Sequence, residues 1–263
     1  MPYRLLKSFL TPILLLLFRP KVRGLDSVPN SGPVIIASNH LSFSDSIFMP
    51  LVVSRKVTFL AKQEYFTQPG LKGFIKKLTF LALGQVPVDR SGGRASEAAV
   101  RTGVDLLAKG ECIGIYPEGT RSPDGRLYRG RTGIARLAIE SGATVVPVAM
   151  INTEKIQPTG KVIPKIMRVG VYFGKPMNFK DYGNPSDPFV LRSITDSIMR
   201  EIQSLIGRYR SVLDTNVHRE SAFPPDKSLY IRPWQVNQRR CEPLLHWPDR
   251  PSDQRELDLA QER

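Results

Sequence analysis

The first segment of chemical interest in this chain is residues 39–45, where His40 precedes Asp45 by five positions. A carboxylate bonded to one imidazole nitrogen orients the ring and stabilises the imidazolium, so that the other nitrogen can take a proton from an alcohol. Inside one helix, a five-residue offset would place the two side chains roughly 140° apart. The pair can therefore meet only if His40 lies in the turn before a helix. Ser42 and Asp45 have the capping-box spacing that would begin a helix there.

A histidine near an aspartate is more often structural than catalytic, so the spacing alone favours a structural role. Asn39 and Ser42 could simply cap the helix, and for Ser42 we expect this. The other two histidines, His218 and His246, lie in the C-terminal segment, which leaves His40 as the obvious base of the folded domain. No Gly-x-Ser-x-Gly elbow is present, so nothing indicates a serine acyl-enzyme. Such a base would act directly on a hydroxyl of the substrate.

The second segment of chemical interest is residues 117–122, which reads Pro-Glu-Gly-Thr-Arg-Ser. Gly119 permits a positive φ angle and the close approach of a ligand. Arg121 can hold a phosphate through two parallel hydrogen bonds, a geometry that lysine does not offer. Glu118 could accept a hydrogen bond from a substrate hydroxyl or hold Arg121 in place. The alternative is an ordinary β-turn with a surface ion pair, which would contribute about 0 to 1 kcal/mol.

The charge of the chain indicates an anionic partner, because the net charge is +14 and the isoelectric point is near 10.0. Nucleic acid, an acidic membrane surface and phosphorylated metabolites all fit that sign. Aromatic residues are not interleaved with the arginines and no nucleic-acid-binding signature is visible, so we expect no nucleic-acid partner. The basic residues form two groups, Arg126, Arg129, Arg131 and Arg136, and Arg55, Lys56, Lys62, Lys72, Lys76 and Lys77.

The N-terminal residues 5–18 are mostly apolar, with basic residues on both sides. This run is shorter than the ~20 residues of a membrane span, Pro12 interrupts it, and no signal-peptide cleavage site follows. A basic-flanked apolar segment of this length is typical of a helix that lies in the membrane interface. The alternative is an N-terminal helix packed on its own domain. The two cysteines, Cys112 and Cys241, have no metal-ligand spacing; we expect Cys112 to be buried and the chain to face a reducing, cytoplasmic environment.

Alternating short apolar and amphipathic runs over residues 24–210 predict an α/β domain, and their Val and Ile content predicts strands buried on both faces. Helices are predicted for residues 94–109 and 131–141, and another from Asp187, a good N-cap, followed by Pro188. Beyond residue 213 the periodicity ends and prolines accumulate, so we expect an N-terminal membrane segment (1–23), a folded domain (24–212) and a poorly ordered tail (213–263). The predicted strands are residues 34–38, 57–61, 85–88, 112–116, 144–149 and 168–173.

Four segments of the chain, taken in order, resemble the motifs of the lysophosphatidic acid acyltransferase (PlsC-like) family of glycerolipid acyltransferases. The resemblance covers about residues 20–210, and four motifs in register are far more specific than one. The matching segments are Asn39-His40 to Asp45, Gly84 to Arg90, Tyr116 to Ser122, and Val145-Val146-Pro147-Val148.

The resemblance implies a mixed, largely parallel central sheet flanked by helices, with an N-terminal interfacial helix. It implies that His40 is the general base and that Asp45 orients it. It also implies that the acceptor's glycerol phosphate is bound by Glu118, Gly119, Thr120 and Arg121, assisted by Arg90 and Lys62. No metal or cofactor is implied. The donor would be acyl-CoA or acyl carrier protein, and the protein would lie on the cytoplasmic face of the cell membrane as a peripheral or monotopic enzyme.

These implications lead to the hypothesis of a 1-acyl-sn-glycerol-3-phosphate acyltransferase that converts lysophosphatidate to phosphatidate. A second hypothesis keeps acyl transfer but changes the acceptor to glycerol 3-phosphate, another lysophospholipid or a glycolipid. A third is a non-catalytic binder of membranes or polyanions, which would show salt-dependent binding without turnover. The motifs do not define the acyl chain length, the oligomeric state or the role of the tail.

Overall fold

The computed structural model describes residues 2–88, 95–158, 161, 163–214 and 230–231, all of which fall in one compact unit, residues 1–231. The strands are β1 (Lys21–Arg23), β2 (Val34–Ser38), β3 (Val57–Lys62), β4 (Gln85–Val88), β5 (Cys112–Ile115), β6 (Leu127–Tyr128), β7 (Thr144–Ile151), β8 (Gly170–Phe173) and β9 (Tyr230–Ile231). The helices are α1 (Pro2–Phe18), α2 (Asp45–Val52), α3 (Glu64–Thr67), α4 (Gly70–Ala82), α5 (Ala95–Ala108), α6 (Gly133–Ser141), α7 (Thr153–Ile156) and α8 (Pro188–Asp214), with one 3-10 turn at Leu25–Ser27.

Seven of the strands form one sheet in the order β1-β8-β7-β2-β5-β3-β4. Every neighbouring pair is parallel except β7 and β8, which are antiparallel. The prediction of a mixed, largely parallel sheet is therefore confirmed. The predicted strands agree with the observed ones to within two residues at each end, as is normal for strand boundaries.

Helices cover both faces of the sheet, which is why all five residues of β2 are buried. Ile35 and Ala37 face a core built with α5, α6 and α8. Val34 and Ile36 face the opposite core, which includes Phe18 from α1 and residues of α2. Successive side chains of a strand point to opposite faces of the sheet, so alternate residues of β2 pack into two separate cores.

The start of α8 agrees with the sequence prediction in detail. The Asp187 carboxylate accepts the amide hydrogen of Phe189 at 2.8 Å, as an N-cap should, and Pro188 takes the first helical position. Ile194, Ile198 and Ile202 are fully buried at four-residue steps, so the apolar stripe faces the core as expected.

Besides the short elements α3, α7, β6 and β9, two elements of the main fold are not among the predicted ones, β1 and α4. β1 has only three residues and pairs in parallel with β8, so its sequence carries too short a pattern to be seen. α4 does contain apolar residues at helical spacing, including Leu71, Ile75 and Leu78, but these side chains are exposed rather than packed in the core.

The N-terminal segment forms a helix, α1, whose last residue Phe18 packs edge to face on Phe48 of α2 with ring centroids 5.0 Å apart. Among the described residues, no helix combines the length and apolar character needed to cross a bilayer. Within the tail, Tyr230–Ile231 pairs in parallel with Leu127–Tyr128. Residues 213–214 of the predicted poorly ordered tail are the end of α8. The rest of that tail lies outside the described residues. The domain boundaries at residues 23 and 212 stay predictions.

Candidate active site

The order of the strands brings the two chemically interesting segments together at one edge of the sheet. β2 pairs in parallel with β5, and their register places Ala37 opposite Ile115. Residues 39–40 therefore leave β2 beside residues 116–118, which leave β5. Both segments lie at the carboxyl ends of parallel strands, where ligands of α/β sheets usually bind.

The side chain of Asn39 fixes the end of β2 to the neighbouring strand β7. Its Nδ2 donates to the carbonyl of Met150 at 2.9 Å, and its Oδ1 accepts the amide hydrogen of Met150 at 2.8 Å. This pair of hydrogen bonds extends the hydrogen-bonding pattern between the two strands by one residue, beyond the point where the backbone of β2 ends. Asn39 therefore does not cap α2; it fixes the position from which His40 projects.

His40 and Asp45 form the expected pair, with Nδ1 of His40 2.9 Å from Oδ2 of Asp45. The same carboxylate oxygen also accepts the amide hydrogens of Leu41 at 2.7 Å and Ser42 at 2.8 Å. Asp45 is fully buried, whereas 17% of the His40 side chain is exposed. Because two backbone amides hold the carboxylate in place, it can fix the plane and tautomer of the imidazole ring.

The expected capping box is only half formed, because α2 begins at Asp45 rather than at a residue just after Ser42. The Asp45 carboxylate does reach back to the amide of Ser42, as the third residue of a capping box would. The Ser42 hydroxyl instead donates to the carbonyl of Gln157 at 2.7 Å, so the prediction that Ser42 is the N-cap is wrong. The local reason is that residues 43–44 form a turn before the helix starts.

A tyrosine that the sequence did not single out as a site residue forms one wall of the site. The ring of Tyr116 stacks on the imidazole of His40, with ring centroids 3.8 Å apart and planes 9° apart. The ring of Phe59 also stacks on Tyr116, with centroids 5.4 Å apart. The hydroxyl of Tyr116 hydrogen-bonds with Ser46 Oγ at 2.9 Å. Burial, reinforced by the charge of Asp45 and opposed by the Ser46 bond, raises the pKa of Tyr116 well above its ordinary value. The phenol therefore stays neutral and holds the imidazole flat.

In the neutral ring, the carboxylate that faces Nδ1 of His40 favours the tautomer with its hydrogen on Nδ1, which leaves the lone pair on Nε2. None of the described residues hydrogen-bonds to Nε2. The ring is thus held by Asp45 at Nδ1 and by Tyr116 on one face, and Nε2 is available to accept a proton from a substrate. This is the arrangement that a general base requires.

The carboxyl group of Glu118 hydrogen-bonds to the backbone at two separate places. Its Oε1 accepts the amide hydrogen of His40 at 2.9 Å, and its Oε2 accepts that of Tyr128 at 2.8 Å. The side chain is 4% exposed, and burial is the main cause that raises its pKa to about 7, against the lowering effect of the two amide bonds. Both oxygens therefore hold backbone rather than Arg121, and a direct contact with substrate stays a prediction.

Gly119 lies where a guanidinium passes across the backbone. Its φ angle is +75°, and a Cβ built there would lie 2.7 Å from Nε of Arg131. Arg131 is in turn fixed by its amide, which donates to the carbonyl of Pro117 at 2.8 Å. The glycine thus serves both the turn and the close approach of Arg131, a residue that the sequence placed only within a group of basic residues.

Arg121 and Thr120 lie on the exposed side of the same turn. Within the part of the chain that the structure describes, Arg121 forms no ion pair. Arg121 lies in the turn and Arg131 passes across it at Gly119, so both are cations available to an anionic group. The Ser122 amide donates to the carbonyl of His40 at 2.7 Å, which ties this turn directly to the histidine.

Two predicted site residues are not placed by the structure. Lys62 ends β3, but its side chain lies outside the described set, and Arg90 lies outside the described residues altogether. Cys112, expected to be buried, is 1% exposed, and burial raises the pKa of its thiol to about 12. Among residues 2–88, 95–158, 161, 163–214 and 230–231, no group of three or more His, Cys, Asp or Glu side chains could hold a metal ion.

Comparison with known proteins shows which family the chain resembles. Residues 19–151 match the sequence model of the family described as Acyltransferase. A chloroplastic 1-acyl-sn-glycerol-3-phosphate acyltransferase of Arabidopsis thaliana is 34% identical over 144 residues, which cover 54% of this chain and 39% of that protein. The chain thus spans about two fifths of this plant relative. The enzyme of the same name from Bacillus subtilis is 28% identical over 205 residues, covering 77% of this chain and 96% of that protein.

The fold has a counterpart among solved structures, the crystal structure of the 1-acyl-sn-glycerophosphate acyltransferase PlsC from Thermotoga maritima. The TM-score is 0.59 at 23% sequence identity, over 83% of this chain and 81% of the other. At that identity the match supports the fold. The matched segment, residues 19–151, contains the His40–Asp45 pair, the stacked Tyr116 and the turn at Gly119, and on these grounds the chain belongs to the Acyltransferase family.

Proposed function

We propose that this protein is a 1-acyl-sn-glycerol-3-phosphate acyltransferase, which transfers a fatty acyl group from acyl-CoA or acyl carrier protein to the 2-hydroxyl of lysophosphatidate. The observation that carries the proposal is the imidazole of His40, whose Nδ1 is held by Asp45 while its Nε2 has no partner among the described residues. The names of the relatives from Arabidopsis and Bacillus support the choice of acceptor.

In the proposed reaction, Nε2 of His40 removes the proton from the lipid hydroxyl as its oxygen attacks the thioester carbonyl carbon. A carbon–oxygen bond forms, the tetrahedral oxyanion collapses, and the carbon–sulfur bond breaks. The imidazolium then returns its proton to the leaving thiolate, so that His40 ends the cycle neutral. Asp45 stabilises the imidazolium between the two proton transfers, and Tyr116 keeps the ring in one plane.

Arg121 is proposed to bind the phosphate of the acceptor, with Gly119 and Thr120 giving it close access to the backbone. Arg131, which crosses Gly119, is a second cation suited to the same anion. Glu118 is proposed to act by holding the amides of His40 and Tyr128, and so by positioning the base. Arg90 and Lys62 are included on the family resemblance alone.

The acceptor is a lipid, so we further propose that the protein works at the cytoplasmic face of the cell membrane, attached to an anionic surface by its N-terminal helix. The exposed residues Phe9 and Leu16 of α1 support this placement, because exposed apolar side chains on a short helix favour the interface. We propose that turnover requires neither metal nor cofactor, and a chelator added to the assay should leave the rate unchanged.

The test is transfer of a labelled acyl group from acyl-CoA and from acyl carrier protein to a panel of acceptors. The panel contains lysophosphatidate, glycerol 3-phosphate, another lysophospholipid and a glycolipid. His40→Ala should lower kcat by about 10² to 10⁴ with little change in unfolding temperature. Full activity of this variant would refute the role of His40, and preference for another acceptor would keep the acyltransferase but replace the substrate. Binding of polyanions with no turnover on any acceptor would favour a non-catalytic protein.

A further inference from the structure

Helices α1 and α4 expose a large apolar surface that the reaction at His40 does not use. Soluble monomers rarely expose contiguous apolar patches larger than a few hundred Å². Here the two helices touch each other, and among the side chains that the structure describes they expose ten large apolar ones at 40% or more of their area. We call these residues the α1–α4 surface: Phe9, Ile13, Leu15, Leu16, Leu17, Leu71, Phe74, Ile75, Leu78 and Leu81.

The charged residues of α1 and α4 have one sign. Neither helix contains an aspartate or a glutamate in its sequence. α1 carries Lys7, and α4 carries Lys76 and the exposed Lys77. An apolar face whose own helices carry only cationic charges is complementary to a bilayer with anionic headgroups.

A cavity of about 1000 Å³ opens onto this surface. Of the residues with described side chains, three cationic ones line it, Lys7, Arg55 and Lys56, and no carboxylate does. Leu15 and Leu81 also line it, and both belong to the α1–α4 surface, so the cavity joins cationic side chains to the apolar surface. That combination matches a molecule with an anionic head and a hydrocarbon body.

The cations of the cavity are not neutralised by the protein. Lys7 is half-buried and donates to the carbonyl of Val53, and burial lowers its pKa. Lys56 is exposed and forms no ion pair among the described residues. Arg55 donates to the carbonyls of Pro29 and Gly110, which fix its guanidinium without cancelling its charge. A bound anion would offset the desolvation of Lys7.

The cavity is far from the catalytic histidine. Arg55 and Lys56 immediately precede β3, so the cavity lies at the amino ends of the parallel strands. His40 follows β2 and lies at the carboxyl ends. A six-residue strand such as β3 is about 20 Å long, which separates the two sites. α1 itself rises about 25 Å over its length and ends at Phe18, on the edge that carries His40.

We propose that this cavity binds the headgroup phosphate of an anionic phospholipid within a bilayer, while the α1–α4 surface lies among the acyl chains. The site is separate from the one that binds the acceptor for catalysis. It would hold the protein flat on the membrane, with α1 leading from the lipid-bound cavity toward the catalytic edge of the sheet.

The test is co-sedimentation of the full chain with phosphatidylcholine vesicles that contain or lack phosphatidylglycerol. Lys56→Gln should weaken binding to the anionic vesicles about fivefold, which corresponds to the roughly 1 kcal/mol expected for one basic residue at an anionic leaflet. The matched control is Lys180→Gln, an exposed lysine beside Gly142 at the end of α6, on the other face of the sheet. It should change binding by less than about twofold. Lys7→Gln, with its unfolding temperature measured alongside, should add to the effect of Lys56→Gln.

The apolar half of the proposal is tested by Phe74→Ser, which should weaken binding to both kinds of vesicle. Equal losses for Lys56→Gln and Lys180→Gln would show that only net charge matters and would overturn the headgroup site. Unchanged binding of Phe74→Ser would overturn the apolar contact. Because His40→Ala should bind vesicles as the wild type does, this test is independent of the proposed catalysis.

Discussion

The buried carboxyl of Glu118 should make the protein less stable as the pH rises through neutrality. Burial is the largest cause that raises its pKa from 4.5 to about 7. The amides of Tyr128 and His40 act in the opposite direction, and the charges of Asp45 and Asp124 add to the rise. The folded protein therefore keeps a proton on Glu118 over a range of pH in which the unfolded chain has released it.

The sign and size of the effect follow from proton linkage. Between the two pKa values the folded state binds more protons than the unfolded state, so the free energy of unfolding falls as the pH rises. The rise of 7 − 4.5, about 2.5 units, corresponds to at most about 3.4 kcal/mol at 1.36 kcal/mol per unit. Between about pH 5 and pH 8, the same two values give a loss of about 2.5 kcal/mol.

The assay is urea unfolding of the wild type, Glu118→Gln and Glu97→Gln across this range of pH. Glutamine does not titrate, and its single carbonyl can accept only one of the two amide hydrogens. At about pH 5, Glu118→Gln should therefore be less stable than the wild type by about 1 to 3 kcal/mol. This gap should narrow by about 2.5 kcal/mol toward pH 8. Glu97 is exposed on α5, so Glu97→Gln should keep the wild-type slope.

Parallel pH curves for the wild type and Glu118→Gln would contradict this reasoning. They would mean that the two backbone amides outweigh burial and that the carboxyl ionises near its ordinary value. A gap that widens with rising pH would also refute it, because that result requires a lowered pKa.

Three further substitutions test the site. Asp45→Asn should lower kcat about 10²-fold or more, because the imidazole of His40 is no longer held in place. The control Asp105→Asn, at an exposed position on α5, should leave kcat unchanged. Comparable activity of the two variants would exclude a role for the Asp45 carboxylate in catalysis. Gly119→Ala should lower the free energy of unfolding in urea by about 1 to 2 kcal/mol, because residue 119 has a positive φ. It should also raise the KM for lysophosphatidate by displacing Arg131. An unchanged KM would show that Arg131 does not bind the acceptor. Arg121→Lys should raise the KM for lysophosphatidate more than that for acyl-CoA; equal changes would argue against phosphate binding there.

Local features of the sequence determined much of this protein. The start of α8 follows from the capping ability of Asp187 and the fixed φ of Pro188, both of which act within one turn. The six predicted strands follow from runs of β-branched residues with turn residues between them. The His40–Asp45 pair was also predictable, because a five-residue offset can close only when the first residue precedes the helix.

Contacts between distant parts of the chain could not be predicted in this way. Asn39 reaches Met150, 111 positions away, and Glu118 reaches the amide of His40, 78 positions away. The stacking of Tyr116 on His40 likewise exists only because β5 lies beside β2. No local pattern encodes which strands become neighbours, so the sequence leaves the roles of Asn39, Tyr116 and Arg131 open.

The sequence alone determined the chemistry of this protein, since a histidine, an aspartate and an arginine turn keep their chemical character wherever the chain places them. The tertiary structure decided their geometry: which nitrogen of His40 is free, which carboxyl only supports the backbone, and which apolar helix remains uncovered. The physical reason is that periodicity and capping act over a few residues, whereas strand order and burial depend on the packing of the whole chain.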